Sequence, residues 1–440
     1  MTSIFRALLV AVVMIVSTAA AFAQTSSTSG SVTIAGDLFP NRENTSELRS
    51  RVFVEELLDP APQVRMTLSG FAEGLVAHRP TTETPHGEQV KDAVAGVLDA
   101  SVTWKTKHAD LLAGFARMSW GRLDELQPTD VVNPLDASRF FFESRSEARL
   151  PVGLVRVRAY LTDNTTIEGV YVPFFRRGRF DQLDEPTSPF NLERAFAGDQ
   201  VACLAIGCPA VLPVEVTRHE PAATLNNGQG GVRFNTTSGK VDWSVSAYRG
   251  LEPFGLATAG RPLADAAVVP VNITNPRFTM LGGDFETVRG QWGVRGEVAA
   301  FIEDNFQGSL RIVSGASVDA GVGVDRQAGA YRISGTALFH RETYDEPLLA
   351  RSNEALNGRS NLSLIVAADR TFARERYRLR TFGVYTPDES NAFLRAIGVA
   401  NLRDNLALEG SVGWFAGEGQ NLIGTFANSD FLYARLKYYF

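Results

Sequence analysis

Charged residues of both signs crowd one stretch of the chain. Between Gly121 and Leu150 stand Asp124, Glu125, Asp130, Asp136, Glu143 and Glu147, interleaved with Arg122, Arg139, Arg145 and Arg149. Such a mixture does electrostatic rather than covalent work: in a water-filled passage, facing rows of opposite charge would set a transverse field on passing ions. The same groups can instead pair with one another and hold the segment in shape. Within it, Phe140-Phe141-Phe142 reads as an apolar anchor against a wall, or as a greasy solute path. More charges stand inside alternating apolar stretches: Arg156 and Arg158, Arg295 and Glu297, Arg378 and Arg380. A spacing of two puts each pair on one side of an extended chain.

Covalent chemistry has no comparable support. His78, His86, His108, His219 and His340 have no metal-ligand spacing, and neither a nucleophile elbow nor a phosphate-binding glycine loop is present. A site assembled on a wall without a local motif, around His340 and nearby Ser or Asp residues, is the alternative. No metal and no cofactor are expected. Two cysteines, Cys203 and Cys208, are close enough for a local disulfide in an exported chain. The Arg176-Arg177-Gly178-Arg179 cluster suits lipid phosphates or, more simply, pairs with Asp181, Asp184 and Glu185. The net charge of −6 gives no reason to expect a nucleic-acid partner.

The elements that position these charges read as strands of roughly ten residues, joined by alternately short and long connections. Hairpins are expected at 151–162 with 165–176, 230–237 with 241–249, and 278–287 with 292–301, with Gly, Asn, Asp or Ser in each turn. Similar pairs join 52–58 to 64–76, 97–106 to 111–120, 312–324 to 331–340, 362–369 to 377–385, and 393–401 to 406–415. With 32–37 and 431–440 the count is eighteen, an even number that puts both termini on the periplasmic side; sixteen is the alternative. Long outer connections then fall at 80–93, 121–150, 177–229, 251–276, 341–358 and 417–428.

Charge separates the faces of each strand. Arg295 and Glu297 point one way and Trp292, Val294, Val298 and Ala300 the other; likewise Arg65 and Glu73 oppose Val64, Met66 and Ala72. The inward set also takes Arg332, Glu409, Arg435 and Lys437. A charge facing lipid at mid-depth costs about 2–4 kcal/mol, so register follows from these residues. Aromatics near strand ends, among them Trp104, Trp120, Trp243, Trp292, Trp414, Tyr171, Tyr331 and Tyr385, suit interface girdles. The sequence therefore predicts an all-β, transmembrane antiparallel barrel of porin-like type.

Trp120-Gly121, then Asn133-Pro134-Leu135-Asp136-Ala137-Ser138-Arg139, then Glu147-Ala148-Arg149-Leu150-Pro151 before an outgoing strand, resemble the DUF1302 outer-membrane family. Met280-Leu281-Gly282-Gly283-Asp284 and Trp292-Gly293-Val294-Arg295-Gly296-Glu297 are similar too. The resemblance implies a porin-like barrel and carries no substrate with it. This chain is short for the pattern and adds the Cys203–Cys208 loop. Alginate-export-type barrels and general porins are neighbouring alternatives.

Both ends fit export. Arg6 precedes an apolar stretch over 7–16, and Ala21-Phe22-Ala23 matches a signal-peptidase site, so 1–23 reads as a signal peptide and 24–440 as the barrel. The terminal alternation through Tyr438 to Phe440 reads as a closing strand and assembly signal. The expected function is passive, charge- and size-selected diffusion of small solutes, with loop 121–150 folded inward, Arg and Lys on the strands weakly favouring anions and the acid-rich loops acting against that preference. Alternatives are a transporter for fatty acid or sterol-like compounds and a plugged structural or adhesin barrel. Expected partners are outer-membrane lipids and lipopolysaccharide, barrel-assembly machinery and an unidentified solute, with homo-oligomerisation left open.

Overall fold

The structure is a computed structural model that describes residues 25–42, 45–79, 88–139, 145–179, 189–190, 214–260, 269–308, 312–345, 360–418 and 422–440. The expected signal peptide, Phe140-Phe141-Phe142, Glu143, Cys203 and Cys208 lie outside the described residues.

In chain order the strands are β1 (Thr25–Leu38), β2 (Ser46–Ala61), β3 (Val64–Arg79), β4 (Glu88–Lys105), β5 (Ala109–Ala116), β6 (Val152–Thr162) and β7 (Thr165–Val172). Then come β8 (Val214–His219), β9 (Gln229–Ser238), β10 (Val241–Leu251), β11 (Leu256–Ala259), β12 (Val269–Thr274), β13 (Arg277–Arg289) and β14 (Trp292–Gln307). The last are β15 (Ile312–Ala328), β16 (Tyr331–Tyr344), β17 (Ser360–Phe372), β18 (Tyr377–Thr386), β19 (Asn391–Arg403), β20 (Leu406–Ala416) and β21 (Phe431–Tyr439). Eighteen of them form one sheet of antiparallel neighbours, which β1 and β21 close from Ser31 opposite Tyr439 to Leu38 opposite Leu432. Closure leaves no unpaired edge, the condition for a sheet to stand in hydrocarbon.

The strand register agrees with the charges. On β14, Val298 is 47% exposed on the outside while Glu297 is 4% exposed within. A bulge where Ser69 and Gly70 pair with Asp99 and Val97 leaves Leu98 as an extra residue; Leu98 is buried while Val97 is exposed. Gly239 and Gly290 adopt left-handed backbone in two of the short turns, which a glycine does without strain. Trp104, Trp292, Tyr331, Tyr438 and Phe440 are exposed near the short-turn end, and Tyr171, Tyr385 and Trp414 near the other.

Three expectations need correction. β5 ends at Ala116, not at Trp120, and Trp120 is 1% exposed inside the barrel instead of in a girdle. Its indole donates to Glu168, so a polar wall partner drew it inward. Many strands outrun ten residues: β1 starts at Thr25, and β4 begins at Glu88, inside the expected loop 80–93. Finally, the long connections 177–229 and 251–276 are not plain loops, because β8 pairs parallel to β12 and β12 antiparallel to β11 in a separate small sheet.

Candidate functional site: a strapped loop beside a cationic cavity

The chain leaves β5, passes the buried Trp120 and turns at Gly121, whose φ of +88° excludes most side chains. A Cβ there would lie 2.5 Å from Glu297 Oε1, so the close approach also requires glycine. Glu297 then accepts four hydrogen bonds from the loop: from the backbone N–H of Arg122 (3.0 Å), Leu123 (3.2 Å) and Thr129 (2.7 Å), and from the Thr129 hydroxyl (2.7 Å). One inward carboxylate thus pins both ends of an eight-residue arc. Leu123 seats against Gly321 and Gly323 on the inner face of β15, where side chains would block it.

Ion pairs carry the strap around the wall. Arg122 reaches Asp284 on β13 at 2.6 Å; Asp124 meets Arg295 on β14 at 2.9 Å and Arg332 on β16 at 3.3 Å; Glu125 meets Arg380 on β18. On the opposite side Arg139 reaches Glu73 on β3 at 2.6 Å. The segment therefore crosses the lumen.

Asp130 has a different task. It pairs with Arg145 (3.3 Å) and Arg149 (2.7 Å) of the same loop and accepts from the Trp120 backbone. Asp136 likewise pairs with Arg139 (3.3 Å) and lies 4.0 Å from Arg179. These partners belong to the loop and its root, not to the inward strand arginines Arg156, Arg158, Arg378 and Arg380. Arg158 instead binds Glu168 at 2.6 Å, with Arg156 at 3.9 Å, beneath Trp120. The basic cluster is also spoken for: Arg176 donates to Pro151 O and lies over Phe115, while Arg177 pairs with Glu220 at 3.5 Å.

Between the loop and the β1–β2 and β18–β21 wall lies a cavity of about 790 Å³. Its basic lining comes from Arg51, Arg117, Arg145, Arg378, Arg380, Arg395, Arg435 and Lys437. Only four acids, Glu125, Glu147, Glu375 and Glu409, face them. Arg435 pairs with Glu409 at 2.8 Å, whereas Arg378 and Lys437 make no ion pair among the described residues. Sequence reasoning missed Arg51, Arg117 and Arg395; the inward alternation of β2 and β19 was the available signal for two of them. Toward the outer end, the rings of Phe393 and Phe415 lie tilted with centroids 4.5 Å apart in a buried aromatic cluster with Phe431, Phe426 and Phe39. Phe190, from the long connection 177–229, is fully buried among them.

His340 is 1% exposed and lies 2.6 Å from Asp319 through Nδ1.

A family model described as "Protein of unknown function (DUF1302)" matches residues 98–323. No curated protein matches the chain by sequence. Among solved structures, OccAB4 of Acinetobacter baumannii is similar at 9% identity and a TM-score of 0.50, over 95% of this chain and 98% of that one. OccK7 (OpdD) of Pseudomonas aeruginosa is similar at 8% identity and a TM-score of 0.50, over 94% and 98%. These likenesses speak for the fold: a porin-like barrel of the outer-membrane type.

Proposed function

The chain belongs to the DUF1302 family, and from that premise we propose that it is an outer-membrane channel for passive diffusion of small solutes, with a preference for anions. The observation that carries this reading is the excess of cations around the 790 Å³ cavity, eight against four acids. In a confined aqueous passage such an excess concentrates anions and repels cations, because screening there is weaker than in bulk. The loop sets the width. Strapped to β13, β14, β16 and β18, it narrows the lumen to the space beside β19–β21. No covalent step and no cofactor enter the mechanism.

The apolar outer band supports outer-membrane lipids, including lipopolysaccharide, as its surroundings. Insertion by barrel-assembly machinery, export by cleavage after Ala23 and a Cys203–Cys208 disulfide complete the proposal. Its test is single-channel recording in a planar bilayer across a salt gradient. Discrete conductance steps with a reversal potential displaced toward chloride are expected. Silence of correctly folded barrel in every salt would reject the channel and favour a plugged structural role.

A further inference from the structure

We propose that the lumenal face of β19 is a subsite for organic anions with an apolar body, such as aromatic monocarboxylates; the inference rests on the channel reading above. Along β19 the inward positions run Phe393, Arg395, Ile397, Val399 and Asn401, all lining the cavity. Ile397 and Val399 are half-buried and belong to none of the hydrophobic clusters among the described residues, so packing does not account for them. Inward positions of a water-filled barrel are ordinarily polar. Two consecutive branched aliphatics at mid-passage are therefore a surface that some solute can cover.

What covers it is indicated by the flanking strands. Arg380 stands opposite Ile397 and Arg378 opposite Val399 on β18. Neighbouring strands are about 4.8 Å apart, so an anion held by Arg378 places its carbon skeleton on the apolar strip. Arg380 is engaged by Glu125, while Arg378 has no ion pair among the described residues. On the other flank, Val399 faces Glu409, which neutralises Arg435 at 2.8 Å. At Val399 the β18 edge thus offers the cation Arg378 and the β20 edge the carboxylate Glu409, which suits one carboxylate held at the β18 edge. Inorganic or hydroxylated anions gain the charge contact alone.

The experiment compares sodium benzoate with sodium acetate by reversal potential in planar bilayers, and by calorimetric titration of the purified, folded barrel. Burying one ring face on two side chains should favour benzoate by about three- to tenfold. The Ile397→Ser, Val399→Ser double variant should abolish that preference while the chloride-to-sodium ratio stays unchanged, and Arg378→Gln should weaken both carboxylates. Heat-modifiable migration checks folding, and Val399→Thr, which keeps the shape, serves if the double variant does not fold. Equal benzoate and acetate behaviour in the unaltered protein, or a preference that survives these serine or threonine changes, overturns the subsite. Preferential benzoate binding without conductance would reject the channel reading and leave the subsite standing.

Discussion

A carboxylate that accepts four hydrogen bonds from one loop is not replaced by water without moving that loop. Each charge-assisted bond is worth about 1.5–3 kcal/mol, and those at Glu297 hold Arg122, Leu123 and Thr129 together. Glu297→Ala should therefore release the strap while the sheet persists, giving larger and noisier conductance in single-channel records. Unchanged records would show that the ion pairs alone suffice. Glu125, on the loop and not on a spanning strand, makes a pH prediction. Burial holds its carboxyl above the ordinary carboxylate range, against the opposing pull of Arg380. A raised value means that the proton binds at higher pH than for an exposed Glu, and as pH falls through it the cavity loses one negative charge. Anion selectivity should rise on mild acidification and be flatter in Glu125→Gln, as reversal potentials will read. The sequence displayed these charges but not their partners. Arg122 with Asp284 and Glu125 with Arg380 are contacts between distant parts of the chain, which no local spacing encodes.

Strands were the most legible elements, because a misplaced charge costs more than any propensity gains. Arg295 and Glu297 alone orient β14, and the hairpin from β13 follows from its glycine turn. The small sheet was illegible for the opposite reason. β8 and β12 are short, pair in parallel across a long separation, and carry no ten-residue alternation. Trp120 was misplaced because an aromatic at a strand end suits a girdle, whereas the buried Glu168 captured it. At the seam, Gly30 and Phe440 exchange backbone hydrogen bonds of 2.9 and 3.1 Å, continuous with the β1–β21 ladder. Deleting Tyr438–Phe440 should abolish heat-modifiable barrel in the membrane fraction; normal amounts would show that the remaining pairs close it. The connection holding Cys203 and Cys208 should contain a disulfide contributing little to the barrel, on the order of 2 kcal/mol, because its loop is short. Thiol labelling of unreduced, denatured protein should give no signal, and two free thiols would disprove the bridge.

For the molecule as a whole, function depends on how charge divides between scaffold and passage. Asp130 and Asp136 belong to the scaffold, since their partners are arginines of the loop and its root. Neutralising them should disturb the loop's shape before it tunes selectivity. Arg378 and Lys437 belong to the passage: both line the cavity on the β18–β21 side, and neither is spent on an ion pair among the described residues. Removing both with Arg378→Gln and Lys437→Gln halves the cationic excess there without breaking a strap or a ladder. The expected outcome is a reversal potential displaced toward cations by a measurable fraction of its chloride preference, with folding and expression intact. At high salt the difference should shrink, because the Debye length falls to about 3 Å at 1 M and the lining no longer reaches the pore axis. A double variant whose selectivity matches the unaltered protein at low salt would place the selecting charges elsewhere.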